Sequence, residues 1–510
     1  MLKRIDKEKA YPILLKIACI FILLQPIFDV LSYLYIRGHI TIGISTFGKP
    51  FIAGLINVVL ALIYKKQFWR CVLMYGAYLV LMIAHSWLLV DMHIDTSTIL
   101  HEIRFMINVL YFLICYQDLR ILYEECSDKE GFFSRIKKTL IVTFALYIFL
   151  YLVSVITGTA SMTYEYSDYL KKGYKGWMDS GQIFGHALCV CLPFLISSIV
   201  NNRVKNSVLR VLLKFTIVFP LLVLCLIGTK VSYYIAIIVT GIQIGIELFY
   251  LIKDKKISHF VNVIICAICV GACILAYPLT PVKENTDINN SVLADVPNSD
   301  EISEIMKEEI DKQNTLMSSM RGDESEELLN DELLENVGNE SSKNDGGGLT
   351  EVQKNYIWTS QALSIIQQKY ADAELHPSDM RNKQLVFSYE KFQRADLKYK
   401  LFGIGYVING DLAIERDVLC MLFCFGIFGF LIVLSKPIAL WFKALWSILK
   451  NPFKVKMSHL CLFEGFSMFF FISWYAGATF IYTNFAIFLA ILMVLLNHGT
   501  KKSNDNGEAK

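Results

Sequence analysis

The chain has 510 residues, of which 55% are hydrophobic and 19% charged, with a net charge of +3. Soluble chains carry nearer a quarter charged residues, and so small a net charge leaves no electrostatic footprint for nucleic acid. The apolar excess excludes a string of ordinary soluble domains and points to a chain that crosses a membrane many times.

The first residues include Lys3, Arg4, Lys7 and Lys9 and run directly into an apolar stretch that reaches Tyr35. No small-residue cleavage site follows it, so it is expected to stay as a first span and not to be removed as a signal peptide. Roughly 17–25 apolar residues cross the hydrocarbon layer. By that measure the spans fall at 11–35, 47–64, 71–90, 99–116, 138–157, 181–200, 208–228, 231–251, 259–277, 413–434, 457–475 and 477–496. The first is interrupted by Gln25-Pro26 and Asp29, a break tolerated where neighbouring helices satisfy the freed backbone. The expected fold is therefore all-α, a polytopic transmembrane bundle of about twelve spans. It divides into a membrane bundle over 1–277, an acidic insert over 278–350, an amphipathic helical segment over 351–412, a further membrane bundle over 413–496 and a tail over 497–510.

Basic residues give the orientation. Lys3 and Arg4 begin the chain, Lys65, Lys66 and Arg70 follow the second span, and Arg120, Arg135 and Lys137 follow the fourth. Arg203 and Arg210 follow the sixth, Lys253, Lys255 and Lys256 the eighth, and Lys436, Lys443, Lys450, Lys454 and Lys456 the tenth. All fall on one face, which places both termini in the cytoplasm and the long 278–412 stretch outside the cell, in a multi-pass membrane protein. From Lys283 to Thr350 that stretch is acidic and poor in aromatics, ending in Gly346-Gly347-Gly348, and is expected to be largely disordered or loosely helical. Apolar and aromatic residues return at helical spacing with Tyr356, Trp358, Leu363, Ile366, Tyr370 and Phe387, the pattern of amphipathic helices.

The 13 cysteines lie in apolar runs except Cys126, and none falls between Pro278 and Arg416, so they read as small buried hydrophobes and not as a disulfide framework. Cys266-x-x-Cys269 lies inside a span with no His or carboxylate beside it, which favours packing over metal or redox chemistry. No phosphate loop, dinucleotide fingerprint or zinc-protease motif occurs. An extracytoplasmic site would meet no ATP, so a reaction there needs a donor that arrives already energised, as a lipid-linked sugar pyrophosphate does.

Several motifs occur in a telling order: Leu24-Gln25-Pro26-Ile27-Phe28-Asp29, Gly176-Trp177, Leu192-Pro193 and Ile227-Gly228-Thr229-Lys230. Ser319-Met320-Arg321-Gly322-Asp323, Leu401-Phe402-Gly403-Ile404-Gly405-Tyr406, Glu415-Arg416-Asp417 and Phe425-Gly426-Ile427-Phe428-Gly429 complete the series. Taken together over most of the chain, the series resembles the O-antigen ligase and polymerase-like family of bacterial membrane proteins, in particular its Gram-positive branch. The resemblance implies a C-type glycosyltransferase without metal or other cofactor. It would move glycan from undecaprenyl pyrophosphate, a polyprenyl-pyrophosphate-linked oligosaccharide, to an acceptor glycan at the outer face of the membrane. A flippase and a chain-length regulator are the implied protein partners.

That chemistry needs cations for the leaving diphosphate and a base for the acceptor hydroxyl. Arg104, Lys230, Arg321, Arg394 and Arg416 are the candidate diphosphate ligands, with Lys175, Arg381 and Lys398 also on the outer face. Arg104 lies within an apolar span, where a charge faces a cavity or snorkels to the headgroups. Lys230 opens a helix, where it either binds substrate or anchors the interface, and Arg394 with Lys398 can be an ordinary solvated face. The family's ligases commonly carry His just before the span after the large loop. Here the stretch reads Ile414-Glu415-Arg416-Asp417, leaving Glu415 or Asp417 as the candidate catalytic base. Tyr475-Ala476-Gly477-Ala478 likewise lacks the family's His. His186 reads as a buried, hydrogen-bonded side chain and His376 as a surface one. The rival from another class is a transporter such as a flippase of lipid-linked sugar, against which stands the absence of two related halves; a non-catalytic assembly or sensor protein is a third.

The topology makes a direct prediction. A Glu340→Cys variant labels with an impermeant thiol reagent in intact cells that expose their outer leaflet; labelling only after lysis overturns the orientation.

Overall fold

The computed structural model describes residues 7–39, 44–165, 171–202, 204–294, 299–319, 350–477, 479 and 481–508. Lys3, Arg4, Arg203, Arg321, Gly346-Gly347-Gly348 and Ala478 lie outside the described residues. Helices α1 to α7 cover Lys7–Leu23, Gln25–Ile36, Ile44–Ile63, Lys65–Asp91, Thr96–Glu125, Lys129–Ile156 and Gly181–Val200. Strands β1 (Ser161–Met162) and β2 (Tyr174–Gly176) form an antiparallel hairpin between α6 and α7. Helices α8 to α13 are Ser207–Phe215, Val218–Leu226, Lys230–Asp254, Ile257–Ala276, Pro281–Ala294 and Ser299–Ser319. Helices α14 to α20 are Glu351–Ala371, Met380–Arg394, Leu397–Phe402, Asp417–Phe423, Gly426–Lys450, Met457–Tyr475 and Thr483–Glu508.

Among the described residues, 10 helices are long and apolar enough to cross a membrane, and the pair α1–α2, bent by 43°, makes up to 11. The second expected span falls on a shorter apolar helix, Gly48–Ile63. The architecture is the all-α polytopic bundle expected. The bend between α1 and α2 has a local cause. Pro26 has no N–H to return to the preceding turn, and side chains take over: Gln25 Nε2 donates to Phe21 O at 3.0 Å and Thr143 Oγ1 to Ile22 O at 3.4 Å.

One expected span is corrected. The tenth span does not run over 413–434: the segment 417–423 is the short helix α17, and the membrane-length helix α18 begins at Gly426 and carries Lys436, Lys443 and Lys450 within it. The reason is a close backbone crossing that hydropathy cannot register. Gly403 has φ +102° and Gly426 φ +73°; a Cβ on Gly403 would lie 2.0 Å from Cys424 O, and one on Gly426 2.4 Å from Leu401 O. Ile404 and Gly405 N–H then bond the Phe423 and Cys424 carbonyls at 3.0 and 3.2 Å, ending the first helical run. In the acidic stretch 281–294 and 299–319 are helical, within the loosely helical alternative expected, and 320–349 lie outside the described residues.

The chain forms two compact units. The first comprises Met1–Val72, Asn108–Asn289 and Lys436–Lys510. Its central helix is α7, buried on nearly all sides and packed on α10, α19 and α20. An all-round apolar sequence suits such a position, and small residues permit the approach: a Cβ on Gly465 would meet Val190 O at 2.3 Å. The second unit comprises Leu73–Ile107 and Asn290–Ser435. Its core gathers Leu88, Leu89 and Met92 with Trp358, Tyr399, Ile404 and Ile408, and a second cluster joins Met306, Ile366, Phe387 and Leu412.

Lys391 lies in this second unit, outside the membrane helices, with 1% exposure. It donates to Asn409 Oδ1 at 2.8 Å, and burial pushes its ammonium down to about 7. The folded state therefore holds fewer protons than the unfolded chain between that value and the ordinary lysine range. Stability should rise with pH across this window, by at most about 1.4 kcal/mol per pH unit. Lys391→Met should flatten that slope in denaturation of the purified protein at pH 7 to 10; an unchanged slope contradicts the assignment.

Candidate functional site

In the first unit a group of ionisable side chains gathers where α2, α3, α6, α20 and the β-hairpin meet. At its base Lys49, with 0% side-chain exposure, donates to Asp29 Oδ1 at 2.5 Å and Asn484 Oδ1 at 2.6 Å. Tyr147 OH donates to the other Asp29 oxygen at 2.5 Å. The pair is buried, so each charge is tolerable only with the other present. Above it the hairpin carries Lys175, whose ammonium lies 3.4 Å from Glu165. Glu165 is also bound by Arg37, whose guanidinium bonds Ser161 Oγ at 2.5 Å beside Tyr33. Asp179, just before α7, accepts one long hydrogen bond from Ser32 Oγ at 3.4 Å. Burial holds the Asp179 carboxyl above the ordinary carboxylate range, despite Lys49, Lys175 and the Ser32 hydrogen bond.

Local structure positions these groups. Tyr151 OH donates to Tyr174 O at 2.8 Å and Trp177 Nε1 to Thr159 Oγ1 at 3.0 Å, tying the hairpin to the end of α6. Ser180 caps α7, accepting from Ile183 N. Asp179, Asp29, Tyr147, Ser180 and Asn484 line a small cavity closed on its apolar side by Phe184 and Phe488. Three cations and three carboxylates thus collect among apolar helices, a combination that can bind an anionic group and move a proton.

The Gly228 motif supports the same hairpin. A Cβ on Gly228 would lie 2.4 Å from Lys172 O, and one on Gly173 2.2 Å from Ile227 O. Asn285 bridges the contact, donating to Lys172 O at 2.6 Å and Gly228 O at 2.9 Å. Lys230 follows as the half-buried first residue of α10, which Thr229 caps.

The remaining candidates read from the sequence fall in the second unit, apart from Arg321, which lies outside the described residues. Arg104 is exposed, whereas its neighbour Glu102 is buried and accepts backbone N–H from Tyr406 at 2.8 Å and Val407 at 2.7 Å, facing His85 Nε2 at 3.2 Å. Glu102 therefore anchors the turn after Gly405 and does not neutralise Arg104. Arg394 is ion-paired with Glu390 on its own helix, and Lys398 with Asp91 at 2.8 Å and Glu351 at 3.2 Å. Arg416 is half-buried and donates to Asn382 Oδ1 at 3.0 Å; Glu415 is exposed; Asp417 is buried at the start of α17. No group of three or more His, Cys, Asp or Glu able to hold a metal ion occurs among the described residues.

Sequence reasoning included Lys175 among the cations but passed over Asp29, Lys49, Tyr147 and Asp179. The signal for the first two was present, since an ionisable residue inside a span is a functional candidate by default. Lys49→Met should destabilise the protein by roughly 3–5 kcal/mol by stranding Asp29. The double variant Asp29→Asn/Lys49→Met should recover much of that loss in thermal unfolding in detergent; strict additivity would deny the coupling.

A family model described as O-antigen ligase like membrane protein matches residues 10–501. No curated protein matches the chain.

Proposed function

The chain belongs to the O-antigen ligase-like family of membrane proteins, and on that premise we propose that it transfers or polymerises undecaprenyl-pyrophosphate-linked glycan for cell-surface polysaccharide. Membership makes it a multi-pass membrane protein of polysaccharide assembly, with lipid-linked glycan as substrate class. The reaction is assigned to the outer face of the cytoplasmic membrane on the distribution of basic residues. Polymerisation is favoured over ligation because the chain lacks His at both places where the family's ligases commonly carry it.

The observation that carries this reading is the cluster of Arg37, Lys49, Lys175, Asp29, Glu165 and Asp179 in an otherwise apolar bundle. Of these, Asp29 and Lys49 lie within apolar helices, where a charge is expensive and is kept where it serves a substrate path. Cations can take up the negative charge that develops on a leaving diphosphate, and a carboxylate can take the proton of the attacking hydroxyl. The donor arrives activated, so the reaction calls for no nucleotide. In the second unit Arg416 is the leading diphosphate candidate, Arg104 is a secondary one, and Arg394 is weakened by its pairing with Glu390; Lys230, in the first unit, and Arg321, outside the described residues, are further secondary candidates. Of the two acids first considered as base, Asp417 is buried at a helix start and Glu415 faces outward.

Deletion of the gene in its host should abolish surface polymer and accumulate single lipid-linked repeat units on the outer leaflet. Units trapped on the cytoplasmic leaflet would identify a flippase instead. Arg416→Ala should lower polymer about 100-fold with normal amounts of protein in the membrane; wild-type polymer would remove Arg416 from the site.

A further inference from the structure

Resting on the glycosyltransferase reading above, we propose that Asp179 is the base that accepts the proton of the attacking sugar hydroxyl. Asp29 is occupied by Lys49 and Tyr147, and Glu165 by Arg37 and Lys175. Among the described residues Asp179 makes a single long hydrogen bond, to Ser32 at 3.4 Å, which leaves lone pairs to accept a proton. It lines a small cavity within the cluster, with Ser180, Tyr147, Asn484 and Asp29 around it, a space suited to a hydroxyl or a water.

The surroundings suit a carboxylate that accepts a proton. The charged and titratable groups facing Asp179 are Asp29 on α2, Lys49 on α3, Tyr147 on α6 and Lys175 on β2. Partial burial raises the proton affinity of the carboxylate, and Lys49 and Lys175 oppose that rise. This is the balance that proton-transfer catalysis requires. It also accounts for a family member without the two histidines, since proton acceptance moves to a carboxylate that precedes α7.

In the step, the acceptor O–H proton passes to an Asp179 oxygen as the hydroxyl oxygen's electron pair forms the bond to the anomeric carbon. The bond from that carbon to the pyrophosphate oxygen breaks, and its electron pair leaves on the diphosphate. The proton on Asp179 then returns to water, restoring the carboxylate.

The test uses full-length protein in lipid nanodiscs and, as probe, lipid-linked repeat units extracted from the deletion strain, with product length read on gels. If wild-type protein does not extend these units, the glycosyltransferase reading fails, whatever Asp179 does. If it does, Asp179→Asn should lower kcat at least about 100-fold, with donor KM changed less than threefold. Asp179→Glu should retain tenfold more turnover than Asp179→Asn, and added formate should restore turnover to Asp179→Ala. Should Asp179→Asn aggregate, Asp179→Glu and formate rescue decide the matter. Turnover by Asp179→Asn above a tenth of wild type, a loss confined to KM, or no effect of formate would overturn the assignment.

Discussion

The Lys49–Asp29 pair sets the terms for the rest of the charged cluster. It joins α2 to α3, reaches α6 through Tyr147 and α20 through Asn484, and does so with both charges out of water. Desolvation makes such a pair costly to form and more costly to break, so these four helix segments are held in one arrangement. One of these segments, α6, together with α7 carries strand β2, whose Lys175 lies with Lys49 near Asp179. The bend at Gln25-Pro26 belongs to the same construction, because it turns α2 so that Asp29 faces inward with 4% exposure.

Glycine carries a different part of the design. The glycines of two of the motifs that suggested the family, Gly228 and Gly403, sit at positive φ where two backbones nearly touch. No side chain fits at either point, and L-residues resist that conformation. Their role is to let one segment lie directly against another: the hairpin base against the turn before α10, and the end of α16 against the break between α17 and α18. These glycines thus mark close chain crossings that hold nearby polar residues in place. Glu102 works in the same way, spending its carboxylate on two backbone amides.

The polar groups divide accordingly into those that hold the fold and those left over for chemistry. A second buried network illustrates the first class: Glu247 receives Asn201, Gln243 and Asn262, approaches His259 at 2.6 Å, and through Asn262 connects to Lys214. Every member is engaged, as buried networks must be to stabilise a fold. The cluster around Asp179 differs in retaining a carboxylate with spare capacity beside a cavity.

By itself the sequence determined the class of molecule, because hydropathy is a local sum and the need to satisfy backbone groups in lipid forces apolar stretches into helices. The spans at 181–200, 231–251 and 457–475 were readable for that reason, as was the resemblance that the family match over 10–501 established. Local sums could not show the start of α18, since Gly426 ends one helical run only through its contact with Leu401. Nor could they separate Glu102 from Arg104, two residues apart on one helix, of which one is buried in the turn after Gly405 and the other exposed. The candidate site was the least legible part: Asp29, Lys49, Tyr147, Asp179 and Asn484 come from five separated segments. Only tertiary packing brings them within hydrogen-bonding reach of one another or around one cavity. Which charge is spent on structure and which stays available is a property of partners in space, and linear order carries no record of it.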